Sequence, residues 1–297
     1  MPESKEKLKM LTQQITNIPT MPPVIPHLLG TLRDPSATAG DVEKILLNAP
    51  SLTARVLKLV NSAYYGLNRR IESVRDAVVY LGFDTVKNLA MGASVIQVTS
   101  NKVDGGNTPE VEFDLAGLWR KAIATGVAAE STAKRLRYEN SSDCLVAGLL
   151  HILGTIILRI YFPEDLQEAI QYAHENGCSL LEAEKEIIGV PDPEIAGWLG
   201  KKWDLPKDIV RGLSSYHKPL SLPEEQNKTP VMVHMGVKIV RMQNIGWTGD
   251  EIETSLDPAV LEELGLEENY LETILQEFDE ELEKADEFMK MAEELTS

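Results

Sequence analysis

A chain of 297 residues with 43% hydrophobic and 25% charged residues has an ordinary globular composition, long enough to bury about 75% of its unfolded surface in one large domain or two lobes. Its formal net charge of −17 disfavours a nucleic-acid surface, which needs clustered Lys and Arg against phosphates. Two cysteines, Cys144 and Cys178, lack metal or redox spacing, and the polar start MPESKEKLKM has no apolar run behind it. Both features predict a cytoplasmic location with no membrane anchor.

Lys5 to Asn17 repeats apolar residues at helical spacing (Leu8, Leu11, Ile15), and IPTMPPVIP, with four prolines, precedes a helix from about Ile25 to Leu32. Short helices are expected over Asp41 to Asn48, Ser51 to about Ala63 with Ser51 as cap, and Ser73 to Leu81 closed by Gly82; Asp84 caps another to about Val98. Asn101 to Glu112 is polar, contains two glycines and a proline, and reads as a linker.

Asp114 opens a long alanine-rich helix to about Arg137. Asp143 to Phe162, DCLVAGLLHILGTIILRIYF, is apolar around its whole circumference and is expected to be one central core helix. Further helices are expected over Pro163 to Glu175, Ser179 to Ile188, Pro193 to Lys202, Pro206 to Tyr216, Pro230 to Met242 and Asp257 to Leu264.

The last stretch, Glu267 to Leu295, spaces Leu271, Leu275, Phe278, Leu282, Ala285, Met289 and Ala292 as a heptad seam. From Glu267 onward, twelve acidic residues face only Lys284 and Lys290, a net −10 of the −17. Such a helix either packs on its own domain or binds a partner. No segment alternates with period two, so the fold class is all-α. The expected organisation is a helical lobe at 1–100, a linker at 101–113, a second lobe at 114–247 and an acidic helical extension at 248–297.

None of the five histidines pairs with another His, Cys or acid at helical ligand spacing. His151 is the one strongly polar side chain inside the apolar segment, flanked at helical spacing by Ala147, Gly148, Gly154 and Thr155, and a core histidine with one hydrogen bond is the ordinary outcome. His217 follows a helix end, where the dipole would favour an imidazolium. His27 and His174 read as surface positions. Asn61 and Ser62, with Tyr65, Arg69 and Arg70, gather polar and aromatic groups at a helix end: either capping or a contact patch for a ligand or protein.

Several stretches in order carry a resemblance. SLTARVLKLVNSAYYG (51–66), IESVRDAVVYLGFDTVKNLAM (71–91), LWRKAIATG around Trp119, AGLLHILG (147–154), KKWDLP (201–206) and SYHKP (215–219) resemble the HDOD domain of bacterial signalling proteins. That domain is similar to HD phosphohydrolases, which gather divalent metal through H…HD…D to activate water. The resemblance places the first His at Lys121, the HD pair at His151-Ile152, the final Asp near Val237 and an additional His near Pro193, leaving His151 of the core set and His217 of the secondary positions.

A single imidazole does not hold a catalytic metal. The resemblance therefore implies a non-catalytic signalling module with no metal or cofactor, whose remnant cleft contains Trp119, Lys121, His151 and His217. It implies partners in two-component or cyclic-dinucleotide signalling, engaged in trans, and leaves the oligomeric state open. Two alternatives stand beside it: a nucleotide or small-anion sensor using the former cleft, and a metal-dependent phosphohydrolase or phosphodiesterase with atypical ligands.

Overall fold

The computed structural model describes residues 21–32, 34, 36–103, 114–247, 249, 255–266, 270–285 and 288–290. The expected N-terminal helix at Lys5 to Asn17, the linker from residue 104 onward and the end of the acidic tail lie outside them. The described residues form helices and no strands. In chain order these are α1 (Val24–Leu32), α2 (Ala39–Leu47), α3 (Pro50–Val60), α4 (Val74–Leu81), α5 (Phe83–Val103), α6 (Leu115–Arg135), α7 (Ser141–Leu150), α8 (Leu153–Tyr161), α9 (Pro163–Asn176), α10 (Leu180–Ile187), α11 (Asp192–Lys202), α12 (Lys207–Ser215), α13 (Glu224–Met242), α14 (Pro258–Leu264) and α15 (Tyr270–Lys284).

Local chemistry sets many of the ends. Ser73 accepts from the Asp76 N–H at 3.0 Å to start α4, and Asp114 accepts from the Gly117 N–H at 2.7 Å to start α6. Ser179 and Glu182 form a reciprocal capping box at α10. Several starts differ from the sequence reading: α2 begins at Ala39 after Thr38, two residues before Asp41, and Asp84, expected as a cap, lies inside α5, which begins at Phe83. Pro50, not Ser51, opens α3, because proline's fixed φ suits the first helical position. Pro230 lies inside α13. That helix begins six residues earlier, after Pro223. Residues 101–103, expected in the linker, continue α5.

The apolar segment is not one helix. It breaks at His151-Ile152 into α7 and α8. The His151 Nδ1 lies 2.6 Å from the Gly148 carbonyl oxygen, the group an uninterrupted helix would give to the Ile152 N–H. The side chain thus takes the backbone acceptor at the point where the helix turns. The combined segment, Ser141–Tyr161, is apolar and long enough to cross a membrane, but 83% of its apolar window is buried among the other helices. It is a core element here.

α6 is the axis of the packing, with α7 and α13 laid against it. The contact is backbone on backbone. A Cβ added at Gly148 would stand 2.6 Å from the Gly126 Cα and 2.9 Å from the Thr125 oxygen, and one at Gly236 would stand 2.5 Å from the same Thr125 oxygen. One apolar cluster runs from Ile25 on α1 through these helices to Phe288.

The acidic C-terminal helix folds back on its own chain. α15 packs on α6 and on the short turn Ala63–Tyr65, with Ile274, Phe278, Ala285 and Phe288 buried. Glu277 pairs with Arg135 at the basic end of α6, and the Phe288 ring meets Tyr64 edge-on at 5.8 Å. The buried positions differ from the expected heptad seam. Leu275, Leu282 and Met289 are only partly covered, while Ile274, outside the expected seam, is buried.

Gly148→Ala should therefore destabilise the protein by about 1–3 kcal/mol, since the added methyl meets backbone that has no rotamer to yield. Urea unfolding checks this. Gly30→Ala, where an added Cβ meets nothing within 4 Å, should be neutral or stabilising.

Candidate functional site

A cleft of about 330 Å³ opens where α6, the α7–α8 turn, α10, α11, α13 and the loop after α12 meet. Lys121, His151, Ile152, His217 and Val237 all line it. The resemblance assigns these positions to one site together with Pro193, which does not line the cleft, although its neighbour Asp192 does. Trp119 does not join them. It is fully buried in the core, because two residues along a helix rotate the side chain by about 200° away from Lys121. Residues the sequence did not single out complete the lining: Asp192, Tyr216, His234, Lys238 and Arg241.

His151 is 2% exposed. Its Nδ1 faces the Gly148 carbonyl and so carries the proton, leaving Nε2 as an acceptor with no hydrogen-bond partner. Burial first, and then the Lys121 ammonium, push its pKa down to about 3. The ring stands edge-on to Tyr216 at 5.4 Å. His217 is also held neutral, near 4, by burial and then by Lys185 and Lys218. The dipole-stabilised imidazolium expected there is overridden by desolvation. His234 bonds the Tyr216 carbonyl through Nδ1 at 2.9 Å, and its buried Nε2 lacks a hydrogen-bond partner.

Behind these residues sits a buried carboxyl pair. The Asp192 N–H donates to Glu184 at 2.7 Å, and the Thr155 hydroxyl donates to the Asp192 carboxylate at 3.2 Å. Burial raises both acids, Asp192 to about 6, opposed there chiefly by Lys121. Glu184 is pushed well up by burial and then by the neighbouring Asp192 charge. Gly154 admits this pair, since a Cβ there would collide with the Asp192 backbone. The pair spans eight residues between two helices, and no local spacing in the sequence announces it.

Lys121 is half-buried. Desolvation, then Arg241, lower its pKa to about 8 despite the attraction of Asp192 and Glu184. Among the described residues no three His, Cys, Asp or Glu side chains gather in a metal-holding arrangement. The donors present do not fit a divalent ion: His151, His217 and His234 line the cleft without gathering with a carboxylate at one point, and the His151 imidazole lies beside the Lys121 ammonium.

The candidate contact patch lies elsewhere. Asn61, Ser62, Arg69 and Arg70 line an open groove of about 1000 Å³ that Glu283 and Lys284 of the C-terminal helix complete. Asn61 works as a backbone clamp, bonding both the N–H and the carbonyl of Ile71 at 2.7 and 2.8 Å. Ser62 bonds the Leu59 carbonyl, and Arg69 stacks 4.6 Å over Tyr80. Tyr65 does not line the groove. It turns inward against Tyr64, with its hydroxyl buried. Tyr64 in turn donates to the buried Glu130, which also pairs with Lys134.

Fold and cleft together define an all-helical protein with an HD-like arrangement. The HDOD domain family matches residues 18–219, and the chain belongs to that family. It is similar to a solved HDOD domain protein of unknown function from Geobacter sulfurreducens, at 24% identity, 98% of each chain and a TM-score of 0.77. A Marinobacter aquaeolei structure provisionally named a signal transduction protein matches at 23% identity, 100% of this chain, 66% of that one and a TM-score of 0.75. A Shewanella amazonensis structure provisionally named a phosphohydrolase matches at 24%, 97% and 98% coverage, and 0.69. An uncharacterised Treponema pallidum protein is 25% identical over 216 residues, 72% of this chain; the match spans 40% of that relative's length.

The cost of holding Lys121 charged is measurable. Its pKa is about 8 in the fold against 10.5 in the unfolded chain. The unfolded state therefore binds more protons between those values, and this destabilising contribution is fully present below pH 8 and fades as pH rises toward 10.5. Lys121→Met should be more stable than the parent at pH 7, by an amount of the order of 3 kcal/mol, with the gap closing by pH 10. Urea unfolding of both proteins across that range tests this, and a gap that stays constant would contradict it.

Proposed function

We propose that this chain is a non-catalytic signal-transduction module of the HDOD family, acting from the cytoplasm through protein contacts. The observation that carries the reading is Lys121 beside His151 in the cleft. By the family pattern an imidazole belongs at the first of these positions, with a metal ion between them. An ammonium there repels a divalent cation, and Ile152 and Val237 supply no oxygen where the pattern calls for carboxylates. Two-component and cyclic-dinucleotide proteins are the partners that the family suggests.

The names of the Shewanella and Marinobacter structures point to a hydrolase and a signalling protein respectively. At these identities the likeness extends to fold alone, so the support for the non-catalytic reading over the hydrolase reading comes from the residues of this cleft. A second reading, a small-anion or nucleotide sensor, is favoured by the number of cations that line it.

Elemental mass spectrometry after incubation with manganese, iron and zinc, and removal of excess metal, separates the readings. The expected content is below about 0.1 equivalent of any metal. About one or two equivalents, lost in His151→Ala, would sink the non-catalytic reading and restore a phosphohydrolase.

A further inference from the structure

The cleft combines features that a protein of this charge would not assemble for packing alone. The chain carries −17 overall, yet Lys121, Lys185, Lys218, Lys238 and Arg241 converge on one cavity of about 330 Å³. Among the described residues of the lining, Glu182 and Asp192 oppose them. The Glu182 carboxylate is already committed to the cap of α10, bonding the Ser179 N–H at 3.0 Å and its hydroxyl at 2.8 Å. Asp192 is likewise engaged, its carboxylate accepting from the Thr155 hydroxyl at 3.2 Å. Five cationic side chains against two carboxylates leave the space electropositive, with walls of low polarisability that strengthen every charge interaction inside it.

A second, independent observation points to a ligand. His151 is 2% exposed, lines the cavity, and leaves Nε2 buried without a hydrogen-bond partner. His234, 7% exposed, does the same. Buried polar atoms are ordinarily satisfied, and exceptions at a cavity mark a group awaiting its partner. Both are acceptors in the tautomers that their backbone bonds set, so they call for a donor such as a hydroxyl or a protonated phosphate oxygen. The remaining wall is apolar. Leu118, Leu180 and Trp247 close one side, and the backbone at Gly246 lies directly against Gly117 and Lys121, fixing that side in place.

We propose that this cleft binds a small phosphate monoester without metal, its phosphate held by Lys121, Arg241 and Lys238 and its organic portion set against Trp247, Leu118 and Leu180. The volume lies at the lower end of ligand pockets, which suits a single phosphorylated ring rather than a dinucleotide. A flexible ammonium and a planar guanidinium are the two side chains best suited to phosphate oxygens. The inference rests on the reading of the cleft as metal-free and adds its ligand.

The test is isothermal titration of the full chain with phenyl phosphate, inorganic phosphate and uncharged benzyl alcohol, in the presence of a chelator. Saturable binding of phenyl phosphate, tighter than that of inorganic phosphate and absent for the alcohol, is expected. Lys121→Gln and, separately, Lys238→Gln should weaken it about tenfold or more, in line with loss of a charge-assisted bond. Lys201→Gln, on the exposed face of α11, should leave it unchanged. No saturable binding of either phosphate to the folded protein, or undiminished binding in both cleft variants, overturns the inference and leaves the non-catalytic reading standing. Binding that appears only on adding a divalent metal overturns both.

Discussion

The constraint on which the rest of the molecule depends is the meeting of three helix backbones with no side chain between them. Gly126 of α6, Gly148 of α7 and Gly236 of α13 bring main chain to within a few ångströms of main chain, with the Thr125 oxygen shared by two of the contacts. Both neighbours run antiparallel to α6. From these crossings, five residues back along α6, three forward along α7 and five forward along α13 reach Lys121, His151 and Arg241. Each step is roughly 4–8 Å of helix rise, so all three side chains arrive at the same end of the bundle. The small residues of the core are thus what assemble the cleft, although none of them is chemically functional.

The same geometry explains which parts of the fold were legible in the sequence. Capping residues and helix-opening prolines act over three or four positions, so Ser73, Asp114, Ser179, Pro163 and Asp257 marked their helices correctly. Pro230 misled because proline usually opens a helix, while here it sits inside α13. The break at His151 left no composition signal. Both turn residues keep near-helical backbone angles, and the cause is a side chain bonding to its own preceding turn.

The site divided in the same way. Lys121, His151, His217 and Val237 were placed by the order of the motifs. The Glu184–Asp192 pair, Tyr216, His234 and Arg241 required knowing which helices touch. Trp119 was carried along by its neighbour's motif, but helix rotation sends it to the opposite side of α6.

Charge is segregated in this molecule, and the two halves of that segregation do different things. The acidic C-terminal helix lies against the basic end of α6, where Glu277 meets Arg135 and Lys134 meets Glu130. It covers Tyr64 and closes one edge of the groove formed by Arg69 and Arg70. The cationic cleft is built instead from the opposite end of α6. At physiological ionic strength, charges separated by more than about 8 Å are largely screened from one another. The surplus of carboxylates therefore does little to the potential inside the cleft, while it limits long-range attraction of an anion toward the protein. Recognition there depends on contact and desolvation rather than on steering.

Exchanging a metal for a lysine changes what such a cleft is capable of. A divalent ion both attracts phosphate and lowers the pKa of a bound water to generate the nucleophile. An ammonium supplies the attraction alone. On the proposed reading, the groups that remain around it do not replace the missing base. Burial holds the His151 and His217 imidazoles near pKa 3 and 4, which makes both weak bases, and the Glu184–Asp192 pair is engaged with the Asp192 N–H and the Thr155 hydroxyl. The outcome on the proposed reading is a site that retains recognition of a phosphorylated group and has dropped the step that would destroy it. That combination is what a receptor for a signal requires and what a hydrolase cannot have. The unfavourable charging of Lys121 is then a stability penalty retained for binding, relieved when an anion takes its place beside Arg241.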